Sequence, residues 1–328
     1  MCSLVLFGAS KLGSLAYQFI GDRENIVGFI DNDPQKWGTT FLDLPVYPPM
    51  ELLNNEYKII IASSYKDEII IQLEEMDIFS YSIFEISYQN LNSTNRMKMN
   101  KTNLKYEDTF LFYYRDNIIK FYLPNLRDYL QKKIYDNSNF YENVMLEDIR
   151  NRVKDSSEII DIGANIGNHT IFFSSVCQCK VHAFEPQTSV FNHLKKNVQL
   201  NNQGNRVELY NIALGEKEDK GNIKIVDKNN LGSSEVEYNN NGEVTINTLD
   251  SFISLFKNIA IIKIDVEGME LSVLKGAFKT IKKFKPLLYI ETKTQEEFEI
   301  IENFLSPLGY EVNQRFNATP TILFLPIN

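Results

Sequence analysis

Two glycine turns predict an α/β protein built from two doubly wound units. Each follows a short apolar run and is answered about twenty residues later by an acid ending a second apolar run, Gly8 by Asp31 and Gly163 by Glu185. Strand-like and helix-like segments alternate along the chain, which calls for parallel strands with helices as crossovers. A length of 328 residues is more than one compact core usually holds.

The elements follow in order. "SLVLF" is a strand, "GASKLGSLAYQFI" a turn and an amphipathic helix, and "NIVGFIDND" a second strand ending in acids. "KIIIAS" is a third strand, "KDEIIIQLEEM" a helix and "YSIFEI" a last short strand, which closes a domain over residues 1–87. The polar, Asn-rich run "SYQNLNSTNRMKMNKTN" has no periodicity, so residues 88–103 read as a linker. The second domain, residues 104–328, opens with the strand "NIIKFYLPN" and the helix "FYENVMLEDIRNRV". "EIIDIGANIGNHTIFF" is strand, turn and helix, and "CKVHAFEP" a strand before the helix "SVFNHLKKNVQLN". "VELYNIALG" reads as one strand, with "NIKIV" and "EVTINTL" as extra strands around a polar loop. "IAIIKIDVEG" is a buried strand, "MELSVLKGAFKTIKKF" one helix, "PLLYIET" a strand and "EEFEIIENFLSPLGY" a helix. "TILFLP" closes the sheet.

Hydrophobic residues make up 43% and charged residues 23%, the balance of a soluble globular protein. A net charge of -9 repels phosphate backbones, so no nucleic-acid partner is expected. Cys2, Cys177 and Cys179 form neither a disulfide framework nor a zinc spacing. No apolar run approaches the ~20 residues of a membrane span. "MCSLVLFGAS" has no basic segment before its apolar run and goes straight into a turn, unlike a signal peptide, so a cytoplasmic protein is expected.

The turn after "EIID" carries the functional argument. Glycines at such a turn let a ligand approach the backbone. A diphosphate there would meet the carboxylate of Asp161, which is repulsive. A cationic ligand with a ribose resolves the conflict, and S-adenosylmethionine is one. On that reading Asp161 faces its amino-acid end, Gly163 and Gly167 give close approach, and Glu185 accepts the ribose hydroxyls.

Residues from about 139 to 292 resemble the FkbM family of S-adenosylmethionine-dependent methyltransferases through eight ordered blocks. These are "FYENVMLEDI", "IIDIGANIGNHTIFF", "VHAFEP", "LKKNVQLNN", "NIALGE", "TLDSF", "IIKIDVEGMELSVLKGA" and "KPLLYIET". The resemblance implies a class I methyltransferase domain with a seven-stranded, mostly parallel sheet. It also implies O-methylation of a hydroxyl on a sugar, a glycan precursor or a related small molecule. It adds Ala164, Asn165 and Pro186 to the cofactor set, with Ala213 and Leu214 beside the adenine and Tyr141 and Glu142 closing over the cofactor.

The sulfonium is already an activated methyl donor, so the protein must align the acceptor and remove its proton. Asp265 and Glu267 are the substrate-facing candidates and His169, at the start of the helix, is a third. Asp265 also suits the methionine end of the cofactor, and Glu267 and Glu270 also suit a helix N-terminus. No metal is called for; Asp265 and Glu291 are the pair that would hold a divalent cation, a thin ligand set. His182 reads as a core residue, and the polar loop Asn229 to Gly242 as a lid or a hairpin tip.

The first domain resembles the small Rossmann-like domain at the front of bacterial sugar acyltransferases, through "VLFGASKLG" and "VGFIDNDPQKWGTTFLDLPVYPP". The resemblance implies a nucleotide or nucleotide-sugar site at Gly8, Ser10, Gly13 and Asp31, though Ser10 stands where a dinucleotide motif has glycine. A scaffold or a dimerising module, making a homo-oligomer, is the other reading. Two rival functions stay open: an NAD(P)-dependent oxidoreductase using that turn, and a non-catalytic nucleotide-sugar-binding protein.

Overall fold

The computed structural model describes residues 3–20, 24–84, 96–97, 109–115, 117–154, 156–224, 226–227 and 233–327. Apart from 96–97, the linker expected at 88–103 lies outside the described residues. The chain divides into two compact units, Met1–Leu111 and Phe112–Asn328.

In the first unit the fully buried run Leu4–Phe7 sits inside a six-stranded sheet, parallel to Ile26–Ile30 on one side and Lys58–Ile61 on the other. Tyr81–Ile83 extends the sheet beyond Lys58–Ile61. On the far side Leu44–Tyr47 is parallel to Ile26–Ile30, and Thr40–Phe41 folds back antiparallel through left-handed Leu42 and Asp43. No apolar run signals these two short strands, because Asp43 and Pro45 interrupt the pattern. Val5, Phe7, Ile30, Ile59, Ile61, Ile69 and Leu73 fill one core of this unit.

The second unit holds a seven-stranded sheet. In spatial order its strands are Val207–Tyr210, Lys180–Phe184, Glu158–Ile162, Ile259–Ile264, Leu287–Glu291, Thr321–Pro326 and Tyr310–Phe316. The first five are parallel, and Thr321–Pro326 runs antiparallel to both its neighbours. Glu158–Ile162 and Ile259–Ile264 lie at the centre and are almost entirely buried, as their β-branched runs require.

Three elements differ from the sequence reading. "VELYNIALG" is two strands, Val207–Tyr210 in the large sheet and Ala213–Leu214 in a four-stranded one with Val244–Asn247, Asp219–Lys224 and Glu235–Tyr238. "MELSVLKGAFKTIKKF" is two helices, Glu270–Gly276 and Phe278–Phe284. The first ends where a Cβ on Gly276 would stand 1.9 Å from the Gly215 carbonyl oxygen. Tyr310–Phe316 is an edge strand whose middle residues are all exposed, so its sequence shows no apolar alternation. The helix before it, Gln295–Leu305, begins at a Thr294/Glu297 capping box.

Candidate active site

A cavity of about 340 Å³ opens in the second unit where the parallel strands end. Ile162, Phe184 and Glu291, each the last residue of its strand, line it, as does Asp265 just past the end of Ile259–Ile264. Gly163, Ala164 and Asn165 form one wall. Gly163 has φ 77, and a Cβ there would lie 1.8 Å from the Asp265 carbonyl oxygen, so the neighbouring strand end already demands glycine.

Two expected cofactor residues are displaced. Gly167 is not in the cavity wall; its missing side chain makes room for Leu194, whose Cδ1 would lie 2.7 Å from a Cβ. Asp161 is fully buried beneath the cavity rather than beside a ligand. Its Oδ2 accepts a hydrogen bond from the Thr170 hydroxyl at 2.6 Å, and its Oδ1 lies 3.5 Å from Lys263 Nζ. The reason is position: Asp161 is one residue short of the strand end, under the turn that covers it. The carboxylate that does face the cavity at this point is Asp265.

Lys263 joins the two acids. Its buried ammonium lies 3.2 Å from Asp265 Oδ2 and donates to the Gly163 carbonyl at 3.1 Å. Burial alone would lower the Lys263 pKa, but Asp265 and Asp161 outweigh it and hold it above the usual lysine range. Burial would likewise raise Asp265, and Lys263 with His169 holds it below the ordinary value. The sequence reading overlooked Lys263, although a lone cation in "IIKID" was the available signal.

Glu185 sits where a ribose-binding acid is expected. Its oxygens accept from the backbone N–H of Asn165 at 3.0 Å and of Gln187 at 2.8 Å, which fixes its orientation at the cavity wall. Burial pushes its pKa up to about 7 against those two donors. Pro186, Val190, Ile212, Ala213 and Leu214 supply apolar wall suited to an adenine ring. The fit to S-adenosylmethionine is therefore a fixed acid for hydroxyls, an apolar slot, and Asp265 for a cationic group.

Tyr141 and Glu142 enter from the segment before the first central strand, where Asn168 holds the first and His169 lies against the second. Asn168 Oδ1 accepts from Tyr141 N at 2.9 Å and its Nδ2 donates to Tyr141 O at 3.0 Å. His169 Nε2 lies 3.1 Å from Glu142 Oε2. The Tyr141 ring meets Tyr129, also in the cavity wall, edge-on at 5.9 Å.

Among the described residues, one oxygen each from Asp265, Glu267 and Glu291 lies within 4.8 Å of the others. Burial and then Asp265 push the Glu291 carboxyl up to about 9, so it holds its proton at neutral pH. Glu267, left-handed at φ 55, pairs with Lys293. Glu270 takes the bland reading: its carboxylate accepts from the N–H of Gly268 at 3.1 Å and Val266 at 3.3 Å and braces its own turn. His182 is a core residue, Nδ1 3.4 Å from the Tyr210 hydroxyl and Nε2 3.7 Å from Glu158. Of the segment expected as a lid, Ser234 and Val236 line the cavity, and residues 229–232 lie outside the described residues. Ala318 and Thr319, in the turn before the last strand, complete the wall without any sequence signal.

In the first unit, glycines and acid hold the turn itself. A Cβ on Gly8 would lie 2.4 Å from the Ala62 carbonyl oxygen, and one on Gly13 would lie 1.8 Å from that of Gly8. Asp31 Oδ2 accepts from Ala9 N at 2.8 Å and Lys36 Nζ at 3.0 Å, and its Oδ1 accepts from Asp33 N at 2.9 Å. Asp31 is thus held much as Glu185 is, by a loop N–H and the N–H two residues on, with the Lys36 ammonium in addition. Ser10 is half-buried beside them.

Comparison with known proteins bears on this site directly. Residues 161–312 match the methyltransferase FkbM domain. The FkbM match covers both glycine-loop and acid-cluster residues, and residues 2–84 separately match the N-terminal domain of C2185-like proteins. Methyltransferase 1 of Beauveria bassiana (strain ARSEF 2860) is 29% identical over 147 residues, covering 37% of this chain and 59% of the relative. The chain thus spans less than two thirds of that relative's length. The crystal structure of methyltransferase FkbM from Methylobacillus flagellatus KT is 14% identical and covers 98% of this chain and 89% of its own, with a TM-score of 0.41. M. capricolum TrmK in complex with S-adenosyl-homocysteine is 14% identical and covers 55% and 66%, with a TM-score of 0.36.

Proposed function

We propose that the chain is an S-adenosylmethionine-dependent O-methyltransferase acting on a hydroxyl of a sugar or glycan precursor. The observation that supports it best is one cavity with Glu185 and an apolar slot on one part of its wall and Asp265, Glu267, Glu291 and His169 on another. S-adenosylmethionine supplies the activated methyl group. Glu185 would hold its ribose hydroxyls, Val190, Ala213 and Leu214 its adenine, and Asp265 its cationic amino-acid end. Asp265, Glu267 and His169 are the groups available to the acceptor, with Tyr129 and Tyr141 as an aromatic wall suited to a sugar ring. An oxidoreductase at the first unit's turn is disfavoured by Ser10, which stands where a dinucleotide motif has glycine.

Isothermal calorimetry with S-adenosylhomocysteine and with NADH tests the reading. Binding of the first at one site per chain and no heat from the second is the expected result; the reverse pattern rejects it. Incubation with S-adenosylmethionine and a panel of UDP- and GDP-linked sugars, followed by mass spectrometry, then finds the acceptor.

A further inference from the structure

A hydroxyl acceptor needs a base, and Asp265, Glu267, Glu291 and His169 are the candidates on the cavity wall. Their surroundings separate them. Lys263 holds the Asp265 carboxylate in its ionised, weakly basic form. Glu267 is engaged by Lys293, and Glu291 keeps its own proton at neutral pH.

His169 differs in geometry. Its Nε2 lies 3.1 Å from Glu142 Oε2, and each side chain is only 9% exposed, so the pair is shielded from water on the protein side. Glu142 has a left-handed backbone at φ 59, and its neighbour Tyr141 is held at both backbone polar atoms by Asn168. Asn168 thus fixes Tyr141 by two hydrogen bonds, and the next residue of the loop helix, His169, lies against the next residue of the covering segment. A backbone in this region is costly for a residue with a Cβ and persists where its surroundings hold it.

We propose that His169 is the proton acceptor of the reaction and that Glu142 is the positioning residue that orients its ring and stabilises the imidazolium. This rests on the methyltransferase reading above. The acceptor oxygen gives its proton to His169 Nδ1 and its electron pair forms the new bond to the methyl carbon. The electron pair of the broken carbon–sulfur bond stays on sulfur, which becomes a neutral thioether. The imidazolium then faces Glu142 on one side, and Asp265, itself paired with Lys263, acts on it from the neighbouring strand end. The arrangement is that of a base oriented by a carboxylate.

The test needs no acceptor. The chain has three histidines, so the full-length protein labelled with ¹⁵N-histidine gives three imidazole titrations by NMR, and His169→Gln assigns one of them. Glu142→Gln should move the midpoint of the His169 titration to lower pH, because the imidazolium loses its carboxylate neighbour, and Glu142→Asp should recover part of the change. Added S-adenosylhomocysteine should shift the His169 ring signals and leave those of His193 in place. A ring still charged at pH 9, or a midpoint unmoved by Glu142→Gln, overturns the proposal. Absence of any S-adenosylhomocysteine heat with the unmutated chain rejects the methyltransferase reading instead.

Discussion

Asn168 closes a two-hydrogen-bond ring with the backbone of Tyr141, accepting at 2.9 Å and donating at 3.0 Å across 27 residues of chain. That ring ties the covering segment to the glycine-loop helix. Asn168→Ala leaves the Tyr141 N–H and C=O without these partners, each worth about 1–3 kcal/mol if it stays buried. The variant should lose on the order of 2 kcal/mol in urea denaturation and bind S-adenosylhomocysteine more weakly. Asn168→Asp should fall short as well, because it keeps the acceptor and loses the donor.

Glu185 makes cofactor binding pH-dependent. Its folded pKa of about 7 lies above the ordinary carboxylate value, so the folded chain binds a proton the unfolded chain has released. The associated stability is present below about pH 4.5 and is lost as pH rises towards 7. Binding runs the other way, because ribose hydroxyls donate best to the ionised form. Affinity for S-adenosylhomocysteine should rise through about pH 7 and level off. Calorimetry with Glu185→Gln should show weaker binding and a flat profile there; a variant as tight as the parent puts the ribose elsewhere.

Gly163→Ala places a Cβ 1.8 Å from the Asp265 carbonyl oxygen on a backbone of φ 77. That oxygen, and its carbon at 2.9 Å, are main chain that cannot swing aside. The expected cost is about 3 kcal/mol or more, read as a drop in the urea midpoint, with little soluble folded protein at 37 °C as the extreme case.

Much of this was legible beforehand because the signals were local. The buried runs "EIIDI" and "IAIIKI" announce central strands, and glycine turns with an acid downstream announce where those strands open a site. Gly163, Asn165, Glu185 and Asp265 stand in the cavity wall for that reason. What the sequence hid depends on which way a side chain turns. Asp161 was read as facing a ligand, yet one residue of strand remains beyond it and Thr170 and Lys263 take its oxygens. Tyr310–Phe316 is exposed and has no alternation to betray it. The grip of Asn168 on Tyr141 joins backbone to side chain, and no pattern of residue types records it.

Asp265, Glu267 and Glu291 come close enough to share a cation, but Lys263 and Lys293 already neutralise two of them and Glu291 holds a proton. A divalent ion would have to displace these partners. Millimolar Mg²⁺ or Mn²⁺, or EDTA, should therefore leave the thermal midpoint and S-adenosylhomocysteine affinity unchanged. A rise of several degrees with Mg²⁺ would show that the acids are ligands.

Lys263 is the cation on which two buried acids depend. Lys263→Met keeps the volume and removes the charge, leaving Asp161 Oδ1, which accepts no hydrogen bond, without the cation 3.5 Å away. Losing one partner of a buried ionic group costs about 3–5 kcal/mol, and Asp161→Asn in the same chain should return part of it. The pH dependence identifies the cause. The folded pKa of Asp265 is lowered, so its share of stability is present above the unfolded value and is lost as pH falls through the folded one. That of Lys263 is raised, so its share is lost only as pH rises through a value beyond the usual lysine range. Across neutral pH both contributions are intact and the variant's deficit is largest. As pH falls through the lowered folded value of Asp265 that acid takes up its proton and the deficit should shrink. Urea curves for parent and variant at pH 7 and pH 3.5 measure it, and a deficit equal at both would mean that Lys263 acts by packing rather than by charge.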